Sequence, residues 1–250
     1  MKALVTGASS GIGWEMALYL SSLGYELIIT GRNKERLIEL KKMLTTKTSV
    51  VVLNLADDNA PQKLYDFCKD KNIDLLVNNA GFGLFGEFDE IPADRDEELI
   101  KVNVLALNTL TKLFLADFKK KNSGHILNIA SSAGFVPGPM MASYYASKSY
   151  VIKLSLAINE ELRRAKSNVK ISVLCPGPVD TNFNHRAGVN FSFKPADCRK
   201  VARYAVDKAI AGELIIIPTL KMKAVIKLSK YAPDSIVSAV TYNIQKRKCR

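Results

Sequence analysis

The chain has 250 residues, 48% hydrophobic and 24% charged, a composition that supports one α/β domain with a sizeable core. Its net charge of +12 admits nucleic acid, an anionic membrane or a phosphorylated ligand, but there is no zinc-finger spacing, RNP-like aromatic motif or long block of consecutive basic residues, so nucleic acid is set aside. Cys68, Cys175, Cys198 and Cys249 are scattered without a C-x-x-C pair, and His125 and His185 are the only histidines, which argues against a disulfide framework, a metal cage and a Ser-His-Asp triad.

Met1 and Lys2 lead straight into "ALVTGAS" with no signal-peptide pattern, and no run of about eighteen apolar residues follows, so a cytoplasmic location is expected. The first strand, "KALVT" at residues 2–6, ends in "TGASSGIG" before a helix at residues 12–23. Gly7, Gly11 and Gly13 allow a tight turn and close approach of a pyrophosphate to the backbone, while the helix start offers N–H donors and a positive dipole. The G-x-x-x-G-x-G spacing is a weak signal alone.

The second strand, "ELIIT" at residues 26–30, runs into Gly31-Arg32 and a helix at residues 34–44. A carboxylate at this point would bind both adenosine-ribose hydroxyls and repel a 2′-phosphate, whereas an arginine bonds the phosphate; Arg32 therefore favours NADP(H) over NAD(H). "SVVVL" at residues 49–53 leads into Asn54 and Leu55 and a helix at residues 62–71. "DLLVN" at residues 74–78 ends in "NNAG" (residues 78–81), and a long helix is expected over residues 97–118. "HILNI" at residues 125–129 ends at Ser131 and Ser132, before a helix at residues 144–163. "KISVLC" at residues 170–175 meets Pro176 and Gly177, and a helix at residues 196–211 precedes "ELIIIP" at residues 213–218. Near-continuous apolar strands alternating with amphipathic helices predict a Rossmann-type, doubly wound parallel sheet of about seven strands in one domain, residues 1–250, with its ligand beyond the carboxyl ends of the strands.

Tyr144 and Lys148 form Y-x-x-x-K, which on a helix places both side chains on one face. An ammonium beside a phenol favours the phenolate, so the pair predicts a tyrosine acid/base with a lowered pKa.

With "TGxxxGxG", "NNAG", a serine, "YxxxK" and "PG" in this order over residues 2–218, the chain resembles the short-chain dehydrogenase/reductase family. The resemblance implies an NADP(H)-dependent oxidoreductase that interconverts a carbonyl and a secondary alcohol. By position, Tyr144 resembles the proton donor, Lys148 the residue that tunes it and bonds the nicotinamide ribose, Ser131 the hydroxyl that polarises the carbonyl, and Asn103 the asparagine that holds a helix kink and a water leading to Lys148. The spacing of thirteen residues before the tyrosine selects Ser131 over Ser132. Cofactor contacts are implied for Gly7, Ser9, Ser10, Gly11, Ile12, Gly13, Arg32, Asn54, Leu55, Asn79, Ala80 and Gly81, with Asn78 and Ala80 near the adenosine ribose. Pro176, Gly177, Val179 and Thr181 resemble the stretch along the nicotinamide and its phosphates. Asn54 stands where many members have an aspartate, and Ser10 where many NADP-dependent members have a basic residue.

Substrate selectivity is expected from the loops at residues 134–143 and 179–193. Pro137, Pro139, Met140, Met141, Phe183, Val189, Phe191 and Phe193, with Phe82, Leu84 and Phe85, suggest an apolar pocket and an apolar small-molecule substrate. Residues 219–250 read as two amphipathic helices broken at Pro233, with Lys223, Lys227 and Lys230 in one stripe and Leu220, Val225, Ile226 and Leu228 elsewhere. The reading preferred from sequence packs their apolar face over the pocket or a partner subunit; docking on an anionic membrane is the alternative. The resemblance also implies a homodimer or homotetramer built through the helices at residues 97–118 and 144–163. A cofactor-binding regulator that had lost its chemistry is the rival function, and a missing Tyr or Lys would mark it.

Overall fold

The computed structural model describes residues 1–180, 195–229 and 231–246. Seven parallel strands form one sheet: β1 (Lys2–Thr6), β2 (Glu26–Gly31), β3 (Thr48–Val52), β4 (Leu75–Asn78), β5 (His125–Ile129), β6 (Lys170–Leu174) and β7 (Ile215–Ile216), in the order β3-β2-β1-β4-β5-β6-β7. Each lies within a residue or two of its sequence expectation, except that β7 is only two residues long. The helices are α1 (Gly11–Ser22), α2 (Lys34–Met43), α3 (Ala60–Cys68), α4 (Ala93–Ile100), α5 (Leu107–Lys120), α6 (Ala142–Arg164), α7 (Cys198–Ile210), α8 (Leu220–Ser229) and α9 (Asp234–Lys246).

Successive strand residues point to opposite faces of the sheet, and both faces are covered. In β1, Ala3 and Val5 pack with Trp14, Met16 and Leu20 of α1, Leu37 of α2 and Val201 of α7. Leu4 joins Leu64 of α3, Leu110, Phe114 and Phe118 of α5 and Ile158 of α6 on the other face. Helix ends follow local chemistry: Asn33 caps α2 by accepting from the Arg36 N–H at 2.8 Å, and Asp197 caps α7 by accepting from the Lys200 N–H at 2.9 Å. Gly24 and Gly212, at φ of +85° and +81°, close α1 and α7 in the left-handed conformation that glycine adopts freely.

The long helix expected over residues 97–118 differs from that expectation. Between α4 and α5 the six residues Lys101–Ala106 wind as a π-helix, and the helical run extends from Ala93 to Lys120. This run is apolar and long enough by composition to cross a membrane, but Leu99, Val102, Ala106, Leu110, Phe114 and Phe118 are buried in the protein, which makes it a core helix.

The chain leaves β1 toward β2 and β3 and returns to β4 on the other side of β1, so the connections diverge between β1 and β4. A crevice forms at such a switch point beyond the strand ends. The glycine loop after β1 and the "NNAG" loop after β4 meet there.

Candidate active site

The glycine loop and the loop after β4 fit each other too closely for larger side chains. A Cβ on Gly7 would lie 2.8 Å from the Ala80 Cα, and one on Gly13 would lie 2.3 Å from the Asn79 Nδ2. Gly7 and Gly11 adopt φ of +64° and +59°. Ser10 precedes α1 without a side-chain capping bond, and the first turn holds no acidic residue. The helix start thus keeps its N–H donors and positive dipole for an anionic ligand, and the cradle fits the pyrophosphate of a dinucleotide.

Thr6 ties this crevice together. Its hydroxyl donates to the Val77 carbonyl at 3.2 Å and accepts from the Asn79 and Ala80 N–H groups at 2.9 and 3.0 Å. Asn79, expected to touch cofactor, turns its side-chain amide onto the Thr6 and Gly7 carbonyls at 2.9 and 3.1 Å, so that side chain shapes the glycine loop. Asn78 departs from the expected place near the ribose. It points into the core, where its amide donates to Thr111 Oγ1 and Asn128 Oδ1 at 3.0 and 2.9 Å. Strand alternation sends adjacent residues to opposite sides, and Asn78 is the last residue of β4.

At the end of β2, the Ser9 Oγ lies 3.1 Å from where a Gly31 Cβ would sit. Arg32 donates to Glu98 Oε1 of α4 at 2.7 Å, and Glu98 also pairs with Arg95. Asn54 spends its side chain on its own turn, donating to Asp57 Oδ1 at 2.9 Å and accepting from the Ala56 N–H at 3.3 Å. Leu55 is buried in the core behind that turn, and Ile12, in the first turn of α1, packs against the core.

The expected catalytic residues come together at the ends of β4, β5 and α6. Ser131 starts a 3₁₀ turn (Ser132–Phe135), where its Oγ accepts from the Ala133 N–H at 3.1 Å, and its hydroxyl hydrogen-bonds the Tyr144 phenol. Ser132 instead donates its N–H to the Pro176 carbonyl at 2.8 Å, so the geometry favours Ser131 as the spacing expected. Lys148 is buried, donates to the Ile129 carbonyl at 2.9 Å and lies 5.8 Å from the Tyr144 ring centroid. Gly81 leaves room for this cluster: its Cβ would lie 3.0 Å from Asn103 Oδ1 and 3.3 Å from Lys148 Nζ.

Asn103 is fully buried within the π-helical segment. Its Oδ1 accepts from the Phe82 N–H at 3.0 Å, while its Nδ2 donates to the Phe82 carbonyl at 2.9 Å and to Ser147 Oγ at 3.1 Å. The helix irregularity expected at this residue is therefore present, and it ties the loop after β4 to the tyrosine helix. Ser147, which passes the bond on to the Tyr144 carbonyl at 2.7 Å, was not legible as a site residue.

The electrostatics differ from the sequence expectation. Burial pushes the Tyr144 phenol up to about 12, opposed by the hydrogen bond from Ser131 and reinforced by Tyr145. Lys148 was expected to lower this pKa; burial acts on it as well, bringing its ammonium down to about 8, with the nearby Cys175 acting in the opposite direction. The phenol is therefore a proton donor at neutral pH.

On the substrate side, the Gly86 N–H donates to the Met140 carbonyl at 2.9 Å, tying the loop after β4 to the loop after β5. Phe82 packs with Leu99, Val102 and Tyr144, and Met141 is buried. Val179 is buried and bridges to Ala196, and the Met222 side chain of α8 covers Gly177 beside Pro176. Thr181, Phe183, Val189, Phe191 and Phe193 lie outside the described residues.

A family model described as short chain dehydrogenase matches residues 1–190. An uncharacterised oxidoreductase of Staphylococcus saprophyticus is 34% identical over 214 residues, spanning 82% of this chain and 91% of that protein. A short-chain dehydrogenase from Sphingobium yanoikuyae, solved with NADPH, is similar with a TM-score of 0.82 and 28% identity, over 92% of this chain and 93% of that one. A short-chain dehydrogenase/reductase from Burkholderia phymatum, solved with NAD, has a TM-score of 0.82 and 25% identity, over 91% and 92% of the two chains.

Proposed function

This chain belongs to the short-chain dehydrogenase family, and on that premise we propose that it is an NADP(H)-dependent oxidoreductase interconverting a carbonyl and a secondary alcohol on an apolar substrate. The observation that carries this reading is the convergence of Ser131, Tyr144 and Lys148 beside Gly81, next to the cradle of Gly7, Gly11 and Gly13. The bound nicotinamide supplies or accepts the hydride. Gly7, Ser9, Ser10, Gly11, Ile12 and Gly13 would hold the pyrophosphate side, and Pro176, Gly177 and Val179 the nicotinamide side.

In the reducing direction, Ser131 and Tyr144 both present hydroxyls to the substrate oxygen, and Tyr144, protonated at neutral pH, gives its proton as negative charge develops there. Lys148, held by the Ile129 carbonyl, keeps an ammonium beside the tyrosine that becomes a phenolate. Asn103 and Ser147 fix the start of α6 and hence the phenol's position. Oxidation runs the same proton path in reverse.

The preference for NADP(H) rests on Arg32 and on the lack of an acidic residue in the chain where β2 ends; the similar structures include one solved with NADPH and one with NAD. Self-association through the long helices fits Leu105 and Tyr150, both exposed on this face, with the Tyr150 hydroxyl donating to Asn108 Oδ1 at 2.9 Å between the two helices. The test of function is NADPH consumption over a panel of apolar ketones, with Tyr144→Phe as the paired variant. A panel that leaves NADPH untouched while the protein binds it would favour the silent, cofactor-binding alternative.

A further inference from the structure

The two C-terminal helices meet the body of the protein with one side and expose apolar residues on the other. In α8, Ile226 is buried and Met222 lies against Gly177, whereas Leu220, Val225 and Leu228 point outward. In α9, the Thr241 hydroxyl donates to the Pro137 carbonyl at 3.0 Å, and Gln245, almost fully buried, donates to the Tyr145 hydroxyl at 2.6 Å. Ile236, Val240 and Ile244, four residues apart and thus in one stripe, are exposed. Leu220 and Leu228 of α8, and Tyr231 in the turn between the helices, are 82%, 73% and 80% exposed, the most open large apolar side chains among the described residues of this segment.

Within the single chain, this arrangement meets only part of the expectation that the apolar face packs over the pocket or a partner subunit. The helices do sit on the substrate-side loop, with Ile226 buried and Met222, Val237 and Tyr242 half-buried, but Leu220, Val225, Leu228, Ile236, Val240 and Ile244 face outward. Apolar side chains exposed together in this way mark a contact site. Lys221, Lys223, Lys227 and Lys246 are exposed on the same two helices, and Asp234 is the sole acidic residue between Thr219 and Lys246. Lys230 lies outside the described residues.

We propose that α8 and α9 form a docking face for an anionic lipid surface. Apolar residues flanked by lysines suit the boundary between acyl chains and phosphate headgroups, where one set enters the hydrocarbon edge and the other pairs with phosphate. A second copy of the chain fits worse. Symmetric pairing through this face would bring Lys221, Lys223 and Lys227 of both copies into one interface with Asp234 as the one acidic residue of these helices to offset them. Because α9 grips Pro137 and Tyr145, docking would leave only α9 between the lipid and the substrate-side loop. The proposal stands apart from the catalytic reading, since its readout is sedimentation.

The test uses the full chain with vesicles of phosphatidylcholine alone or mixed with phosphatidylglycerol, at physiological salt. The protein should co-sediment with the anionic vesicles at least tenfold better than with the neutral ones. Leu228→Asp with Tyr231→Ser should abolish this binding, and Lys223→Gln with Lys227→Gln should remove the preference for anionic lipid and its sensitivity to added salt. All four positions are on the surface, and an unchanged thermal melt shows that the variants fold. Equal, low sedimentation with both vesicles overturns the proposal. So does a concentration-dependent dimer that Leu228→Asp dissociates, because the face would then belong to a second copy.

Discussion

The Arg32 guanidinium donates to the Glu98 carboxylate at 2.7 Å, joining the end of β2 to α4 beside the loop that would seat the adenosine ribose. A 2′-phosphate must therefore compete with Glu98 for the arginine it uses. Arg32 is half exposed, so the ion pair contributes at most about 1 kcal/mol. Glu98→Gln should tighten NADPH by roughly two- to fivefold and leave NADH nearly unchanged. Arg32→Ala should narrow a preference for NADPH that we expect to be about tenfold or more, and should cancel the effect of Glu98→Gln in the double variant. Cofactor fluorescence titrations measure all of these. Weaker NADH binding in Glu98→Gln would instead make Glu98 a ribose ligand.

Tyr144→Phe removes the transferable proton and keeps the ring, so kcat should fall by about a hundredfold or more with cofactor affinity nearly unchanged. Tyr145→Phe is the control, with a mild effect on turnover. Its cost should appear in stability, about 1–2 kcal/mol, because Gln245 loses its 2.6 Å acceptor in a buried position. Steady-state kinetics and urea melts of both variants separate the two roles, and a greater kinetic loss in Tyr145→Phe would reject the assignment of the acid.

The pH profile follows from Tyr144 and Lys148. Tyr144, at about 12, stays protonated through the working range, so it sets no alkaline limit near neutrality. Lys148, at about 8, loses its charge as pH rises through that value, and with it the positive charge beside the developing phenolate. Carbonyl reduction should therefore hold level below pH 8 and decline above it. A kcat/KM profile for reduction that stays flat to pH 10 would show that the lysine charge has no part in the step.

Much of this architecture was legible from the chain. The apolar strands, the glycine turn and the Tyr-Lys spacing depend on short-range patterns, and each strand formed where β-branched runs stand. Three features were not legible in the residue patterns, for distinct reasons. Glu98 is 66 positions from Arg32 in sequence, and only the packing of α4 brings them together. The π-helical segment at Asn103 has the same apolar periodicity as an ordinary helix over so short a span, so the family resemblance, and not the pattern, pointed to an irregularity there. In the tail, periodicity located both helices and their break at Pro233, but it could not say whether an apolar stripe faces protein or solvent. The side chains of Asn78 and Asn79 show the same limit on a smaller scale: adjacent and identical, they part at the strand end, one into the core and one onto the glycine loop.

His125 provides a test of stability rather than catalysis. Its Nε2 lies 3.0 Å from Ser172 Oγ, and the serine donates onward to the Glu213 carbonyl at 2.7 Å, so the imidazole is the donor to Ser172 and the chain links β5, β6 and the approach to β7. Burial, with the charge of Lys170, lowers its pKa from 6.5 to about 4. Below pH 6.5 the unfolded chain takes up a proton that the folded chain refuses, so the stability due to the neutral imidazole is present above pH 6.5 and is lost as pH falls toward 4. The full loss is about 3 kcal/mol as an upper limit. Ordinary carboxylates remain mostly ionised down to about pH 5, so the slope of unfolding free energy between pH 6.5 and 5 isolates the histidine. His125→Gln keeps a donor for Ser172 and cannot titrate; it should be somewhat less stable at pH 7 and show a flatter slope through that window. Urea melts at several pH values measure this, and a variant slope as steep as that of the unmodified protein would assign the acid sensitivity elsewhere.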